Sequence, residues 1–179
     1  MPAERNTPTR REALRILERG RSETLALVGS LPRSSLATPG LGGGEWSPKD
    51  LIGHLASWEE YALDALAAWD RGERAPIDAL QFTVSTSRLN SQNVEAKAAW
   101  SFARVKRDSD RNRVELLAAI EGLSEARWRH PATARGRVPL GRRLGSILWG
   151  PSGPFSHDVS HHASLRAFVR DCGSGAGRP

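Results

Sequence analysis

The sequence predicts an all-α fold, a four-helix bundle within 179 residues, and three observations predict it. Apolar residues recur at helical spacing in four segments, so each has one face to bury. No stretch shows the strict alternation of a half-buried strand, and no repeat or glycine-rich phosphate loop interrupts the pattern. Helices with no sheet to cover bury their stripes against one another, which makes a bundle.

The first helix is expected over residues 10–30, where Leu14, Leu17, Leu25 and Val28 form the stripe and Leu31-Pro32 ends it. A glycine-rich loop follows through residues 39–44. Ser47-Pro48-Lys49-Asp50 then reads as a helix start. Ser47 caps a free backbone N–H, Pro48 suits the first helical position, and Asp50 opposes the positive end of the helix dipole. The second helix runs to about Asp70 with Leu51, Leu55, Trp58, Ala62, Leu66 and Trp69 inward, His54 and Tyr61 bordering the stripe, and Gly72 and Pro76 closing the segment. Phe82, Val84 and the threonines make residues 77–88 an extended or irregular stretch, part of one long crossover to the third helix. The third helix is expected over residues 89–122, broken near Trp100-Ser101, with Phe102, Val105, Leu116, Leu117 and Ile120 inward. Residues 124–143 read as a long basic loop. The fourth helix is expected from about Leu144 to Arg170, disturbed at Gly150-Pro151 and Gly153-Pro154, because interior prolines remove a hydrogen bond and clash with the previous turn. Residues 1–9 and 172–179 offer no apolar face and read as flexible, leaving residues 10–171 as a single domain.

Composition narrows the class. No apolar run is long enough to span a bilayer, and the first eleven residues lack the apolar stretch of a secretory signal. Cys172 is the single cysteine, which excludes an internal disulfide and a multi-cysteine zinc knuckle, and as part of the expected tail it is not read as a nucleophile. A cytoplasmic protein with no membrane partner is expected. The net charge of +6 raises a nucleic-acid reading. Of the 26 basic residues, however, only Lys49, Lys97 and Lys106 are lysine, the skew of an Arg- and Ala-rich genome. The charge is densest in Arg127, Arg129, Arg135, Arg137, Arg142 and Arg143, spaced by Gly and Pro as in a solvated loop. Charge is the sole footprint of nucleic acid, so DNA is the weaker partner.

His54 on the second helix, with His157 and His161 spaced i, i+4 near the C-terminus, carries the chemistry. Positions i and i+4 share a helix face, and three imidazoles are a usual set for a divalent metal that keeps open positions. The bland alternative for His54 is a core-edge histidine donating to a carbonyl. His162 reads as a surface or supporting residue and His130 as exposed. Trp58, Tyr61, Trp69 and Trp100 can wall a substrate pocket or simply fill the core. Trp46 reads as a staple at a helix start. Asn90 and Asn93 can bind substrate polar groups or cap the third helix. Glu59, or its neighbour Glu60, is the candidate general base, with solvation the alternative.

The run Trp46-Ser47-Pro48-Lys49-Asp50-Leu51-Ile52-Gly53-His54-Leu55 resembles the opening of helix two in the DinB/YfiT-like superfamily of four-helix bundles, and His157-Asp158-Val159-Ser160-His161 resembles the H-x-x-x-H of its last helix. Leu89-Asn90-Ser91-Gln92-Asn93 and Leu144-Gly145-Ser146-Ile147-Leu148 look most like the ClbS/DfsB branch. The likeness extends over residues 10–170. It implies an up-down-down-up bundle with a divalent metal, zinc, nickel or iron, held at one end. Relatives include transferases and isomerases dependent on a low-molecular-weight thiol, whereas ClbS-like proteins hydrolyse the cyclopropane warhead of a genotoxic metabolite in self-resistance. The chain departs from the pattern at residues 150–154, where a Gly-Pro stretch precedes His157, and at His162, which adjoins His161.

Two functions follow. One is a metal-dependent enzyme, hydrolase or S-transferase, acting on a small-molecule electrophile as a monomer or homodimer. Its metal ligands are His54, His157 and His161; its base is Glu59; its pocket is Trp58, Tyr61, Asn90 and Trp100. The other is a non-catalytic binding protein that sequesters a toxic small molecule or contacts DNA through its basic loop.

Overall fold

A computed structural model describes residues 7–175. Eight α-helices are described: α1 (Arg10–Gly29), α2 (Pro48–Asp70), α3 (Pro76–Thr83), α4 (Thr86–Ala96), α5 (Phe102–Gly122), α6 (Glu125–Arg129), α7 (Leu140–Ile147) and α8 (Val159–Gly175). Among the described residues there is no strand, and no helix is long and apolar enough to cross a membrane.

Side-chain caps set most of the helix starts. Thr9 and Glu12 close a capping box on α1, and Ser47 and Asp50 close another on α2, with Pro48 at its first helical position. Ser85, Ser101 and Ser124 accept from backbone N–H groups at the heads of α4, α5 and α6.

Two apolar clusters and a polar layer between them order the bundle. Ala13 and Leu17 of α1, Ala62 and Leu66 of α2, and Leu116 and Ile120 of α5 share one cluster. Val28 of α1, Leu51 and Leu55 of α2, Val105 of α5, and Leu165 and Phe168 of α8 share the other. Along the chain, α1 and α8 run toward the second cluster, whereas α2 and α5 run away from it. The core is therefore up-down-down-up. The parallel pair α2 and α5 needs a long connection, which α3 and α4 supply while packing along α2.

Between the clusters lies a buried set of ion pairs. Arg21 of α1 donates to Glu59 Oε1 at 2.7 Å, to Asp158 Oδ1 at 2.9 Å and to Ser109 Oγ at 2.6 Å. Arg113 of α5 donates to Asp158 Oδ2 at 2.7 Å and to the Leu17 carbonyl at 3.0 Å, and also pairs with Glu59. Two guanidiniums and two carboxylates thus meet in the core. The paired guanidiniums hold Asp158 down at about 2 against the opposing effect of its burial.

Several expectations need correction. Residues 77–88 are helical over most of their length, because Pro76 and Ser85 start α3 and α4 where Pro76 was expected to close α2. The expected third helix divides at residues 97–101 into α4 and α5, where Ser101 caps the second piece. The basic segment holds α6 and the head of α7 rather than one loop. The expected fourth helix is two, α7 and α8, separated by an irregular segment at residues 148–158. At the N-terminus, Pro8 accepts from the Trp128 indole at 2.9 Å and Thr9 caps α1, so residues 7–9 belong to the fold. At the C-terminus α8 reaches Gly175, which puts Cys172 inside a helix; residues 1–6 and 176–179 lie outside the described residues.

Truncating one partner of the buried set leaves an uncompensated carboxylate in a dry core, which costs about 3–5 kcal/mol. Arg113→Met should lower stability by that amount in urea unfolding. Arg71→Ala, which breaks the exposed and solvent-screened Arg71–Glu73 pair, should leave the unfolding midpoint nearly unchanged by comparison. Equal effects of the two substitutions would contradict this account of the core.

Candidate metal centre

The second turn of α2 carries His54 between Leu51 and Leu55, so the stripe that packs the core also buries the imidazole, leaving it 2% exposed. His161 lies in the first turn of α8, whereas His157 sits in the turn just before it and not on the helix as expected. Its carbonyl accepts from Ser160 N at 3.1 Å, which leads the chain into α8.

The segment before His157 is fixed by close backbone approach. Gly150 and Gly153 exchange two backbone hydrogen bonds, 3.1 and 2.9 Å, and a Cβ on Gly150 would stand 2.0 Å from the Ser156 carbonyl oxygen. Phe155 adopts a left-handed φ of 65°, which a bulky residue keeps only where its surroundings dictate it. Its ring is fully buried and stacked on Trp128 at 5.8 Å. The Gly-Pro stretch thus ends one helix, turns the chain, and delivers His157 and Asp158 to the core together. Gly20 allows α1 to approach closely, since a Cβ there would lie 3.1 Å from that of Asp158.

The structure brings His54, His157 and His161 together, with one nitrogen from each within 4.8 Å of the others. His54 Nε2 stands 3.1 Å from His157 Nε2. Two imidazole nitrogens at metal bond lengths around one ion stand about 3.0–3.4 Å apart, so this spacing fits. The rings meet edge to face, with centroids 4.9 to 5.3 Å apart. His161 Nε2 is buried without a hydrogen-bond partner in the protein; so is His54 Nδ1, the ring nitrogen other than the one that meets His157. Buried polar atoms rarely stay unpaired, and an imidazole lone pair facing two others is a natural partner for a cation.

Burial pushes the His54 pKa down to about 2, and the neighbouring His157, His161 and Lys97 push the same way. His157 falls to about 3, again mainly by burial, with Asp158 opposing. His161 is lowered by burial as well. All three are therefore neutral near pH 7, the form in which imidazole binds metal.

Indoles enclose the cluster. Trp46 lies 4.8 Å from the His54 ring and 6.5 Å from His161, and Trp58 lies 5.8 Å from His157. Trp58 donates to Asn90 Oδ1 at 3.0 Å and Tyr61 to Asn93 Oδ1 at 2.7 Å, so α4 braces this wall. A cavity of about 380 Å³ reaches His161 between the 41–46 loop and α8, lined also by Leu41, Glu45, Trp46 and Ser164.

Some residues expected at the site stand elsewhere. Glu59 Oε1 is committed to Arg21 and Arg113 in the buried ion cluster, and Glu59 is about 140° round the helix from His54. Desolvation raises its pKa despite these partners. Glu60 is exposed. Trp100 lies at the α4–α5 junction with the Arg104 guanidinium 4.0 Å over its ring, a cation–π contact. His162, read as a surface or supporting residue, is buried and not on the surface, held by Thr24 at 3.0 Å and by the Gly20 carbonyl at 3.2 Å in the α1–α8 interface. His130 is exposed. Trp46, which walls the site, and Arg21, Arg113 and Asp158, which stand behind it, are not among the site residues expected from the sequence.

A model of the DinB superfamily matches residues 16–150, a span that holds His54 and ends before His157. No curated protein matches the chain. Among solved structures the fold is similar to an uncharacterised protein from Escherichia coli UTI89, with TM-score 0.74 and 15% identity over 91% of this chain and 94% of that one. It is also similar to the mycothiol-dependent maleylpyruvate isomerase, with TM-score 0.58 and 18% identity over 92% of this chain, which spans 60% of the isomerase. A histidine-to-alanine mutant of that isomerase gives TM-score 0.58 at 19% identity. At these identities the likeness is one of fold.

Two outcomes follow from the buried imidazoles and their loop. A histidine whose folded pKa lies below 6.5 takes its proton first in the unfolded chain, so its stabilisation is whole above pH 6.5 and declines as the pH falls toward the folded value. Urea unfolding of metal-stripped protein should show stability declining from pH 7 to 5.5, by at most about 1.4 kcal/mol per pH unit for each histidine. A flat profile would contradict neutral burial. Gly150→Ala should displace His157, lowering affinity for added Co²⁺ by about 10-fold or more in a visible-absorption titration. Unchanged affinity would show that the loop does not position the ligand.

Proposed function

The chain belongs to the DinB superfamily, and from that premise we propose that it is a metal-dependent enzyme acting on a small electrophile at His54, His157 and His161. The observation that carries this reading is the convergence of three neutral imidazoles, two of them with nitrogens 3.1 Å apart, beside a cavity. A divalent zinc, nickel or iron ion, if held by these three imidazoles, would supply Lewis acidity and would lower the pKa of a water or thiol toward neutrality. The similar fold of a mycothiol-dependent isomerase supports a low-molecular-weight thiol as the co-substrate.

The chain's own residues supply the remaining parts. Burial keeps the imidazole lone pairs free of protons at neutral pH. Trp46 and Trp58 exclude water from two sides of the cluster, and the cavity beside His161 gives reactants a way in. Glu59, tied to two guanidiniums, does not serve as the base in this mechanism; Glu45, an exposed residue, is the carboxylate in the lining of the cavity beside His161 and would take up a proton there. The resemblance to ClbS/DfsB proteins offers water as the nucleophile in place of thiol, with the same three ligands.

The test combines elemental analysis of untagged protein with incubation against a panel of electrophiles, with and without mycothiol, bacillithiol or glutathione, followed by mass spectrometry. One metal per chain is expected, with turnover that falls by about 10²-fold or more in His54→Ala. Product carrying the thiol marks transfer, and product carrying water marks hydrolysis. Stoichiometric capture without product, unchanged when all three histidines are removed, would overturn the enzyme in favour of a sequestering protein.

A further inference from the structure

A second concave site lies at the other end of α2. Trp69 lines it, fifteen residues beyond His54 and so about 22 Å farther along the helix axis. The cavity measures about 710 Å³ and is bordered by four arginines, Arg74, Arg135, Arg137 and Arg143, with Asp78 the single acidic residue in its lining.

These arginines come from three separate segments. Arg74 is in the linker between α2 and α3. Arg135 and Arg137 flank Gly136 at the tip of a hairpin closed by Ala132 N to the Val138 carbonyl at 3.1 Å and Leu140 N to the His130 carbonyl at 2.8 Å. Arg143 is on α7, where one nitrogen donates to both Asp78 oxygens at 2.6 Å and ties α7 to α3. That pair uses up the one carboxylate. Arg74, Arg135 and Arg137 make no ion pair or side-chain hydrogen bond among the described residues. Like charges gathered around a hollow repel one another, and the hollow's potential favours an anion with several acceptor oxygens. Guanidinium forks match phosphate oxygens in bidentate geometry.

We propose that this pocket is a binding site for a phosphate-bearing small molecule, separate from the histidine cluster. Its concavity favours a single compact ligand over the rod of a duplex, whose phosphates follow an open surface. The Asp78–Arg143 pair orients the fixed member of the set, and Arg74, Arg135 and Arg137 close on the ligand from the rim. This assignment does not depend on the metal chemistry.

Isothermal titration with pyrophosphate tests it, using the wild type, the exposed double variant Arg135→Gln/Arg137→Gln, and His157→Ala. One molar equivalent should bind, His157→Ala should leave the affinity unchanged, and the arginine variant should weaken it by about 10-fold or more. Unchanged melting temperature and metal content in the arginine variant keep a folding defect or a failed metal centre from imitating that result. Binding abolished by His157→Ala but kept by the arginine variant would mean chelation at the histidines and would overturn the proposal, as would absence of saturable binding. A DNA duplex that binds these arginines and is not displaced by pyrophosphate would overturn it in favour of an open nucleic-acid surface.

Discussion

The ion cluster of Arg21, Glu59, Arg113 and Asp158 is the constraint on which the rest of the bundle depends. Each of the three long helices α1, α2 and α5 contributes one charged residue, and the fourth charge stands immediately before α8. Removing four charges from water costs several kcal/mol per ion, so the cluster is a poor source of net stability. Its effect is on alignment. Apolar stripes of Leu, Val and Ala tolerate a slide of one helical turn against their neighbours. A slide that separated Arg113 from both carboxylates would leave charges buried and unpaired. One axial register therefore pairs every member, and in that register His54 of α2 lies level with the start of α8.

The same cluster governs the segment that positions His157. Asp158 takes two guanidiniums and the Thr24 hydroxyl, the last at 3.0 Å, so the chain is anchored one residue beyond the histidine. On the other side the Gly150–Gly153 turn and the buried Phe155 hold it. A continuous helix from α7 into α8 would satisfy more backbone bonds, but Pro151 and Pro154 forbid it. Unpaired buried atoms also gather at this level: His54 Nδ1, His161 Nε2, Glu59 Oε2 and Arg113 Nε. Buried unsatisfied groups are rare in native proteins and tend to mark functional sites, where stability is given up for chemistry.

Much of this was legible in the sequence, for definite reasons. The first two long helices and the Ser47 cap followed from stripes and capping chemistry, which are local. The three histidines emerged from their i, i+4 spacing together with the motif around His54. Residues 77–88 were misread because Pro76 suits both a helix stop and a first helical position, and only packing against α2 decides which. Arg21 and Arg113 left a weaker signal, since each is a charge where its helix should bury an apolar residue. On α1 the stripe runs Leu17, Arg21, Thr24, Val28, and on α5 it runs Val105, Ser109, Asn112, Leu116 with Arg113 beside it. Reading those interruptions as partners requires knowing that the two helices meet. Trp46 was invisible as a site residue for a related reason, because its ring reaches His161 across a tertiary contact.

Charge placement explains how a chain with net charge +6 can offer a cation a site at all. Arg21 and Arg113 stand behind His157 and push its proton off, as they would push off any cation. Glu59 and Asp158 cancel them, so the cluster presents no net charge to the imidazoles. Lys97, the other cation felt by His54, is tied to Asp108 at 3.0 Å and to the Gly53 carbonyl at 3.3 Å. Three arginines without an ion pair among the described residues collect instead around the cavity lined by Trp69, which lies about 22 Å from His54 along the α2 axis, beyond roughly two Debye lengths at physiological salt. The positive charge that would oppose metal binding is therefore neutralised where it is close and screened where it is not.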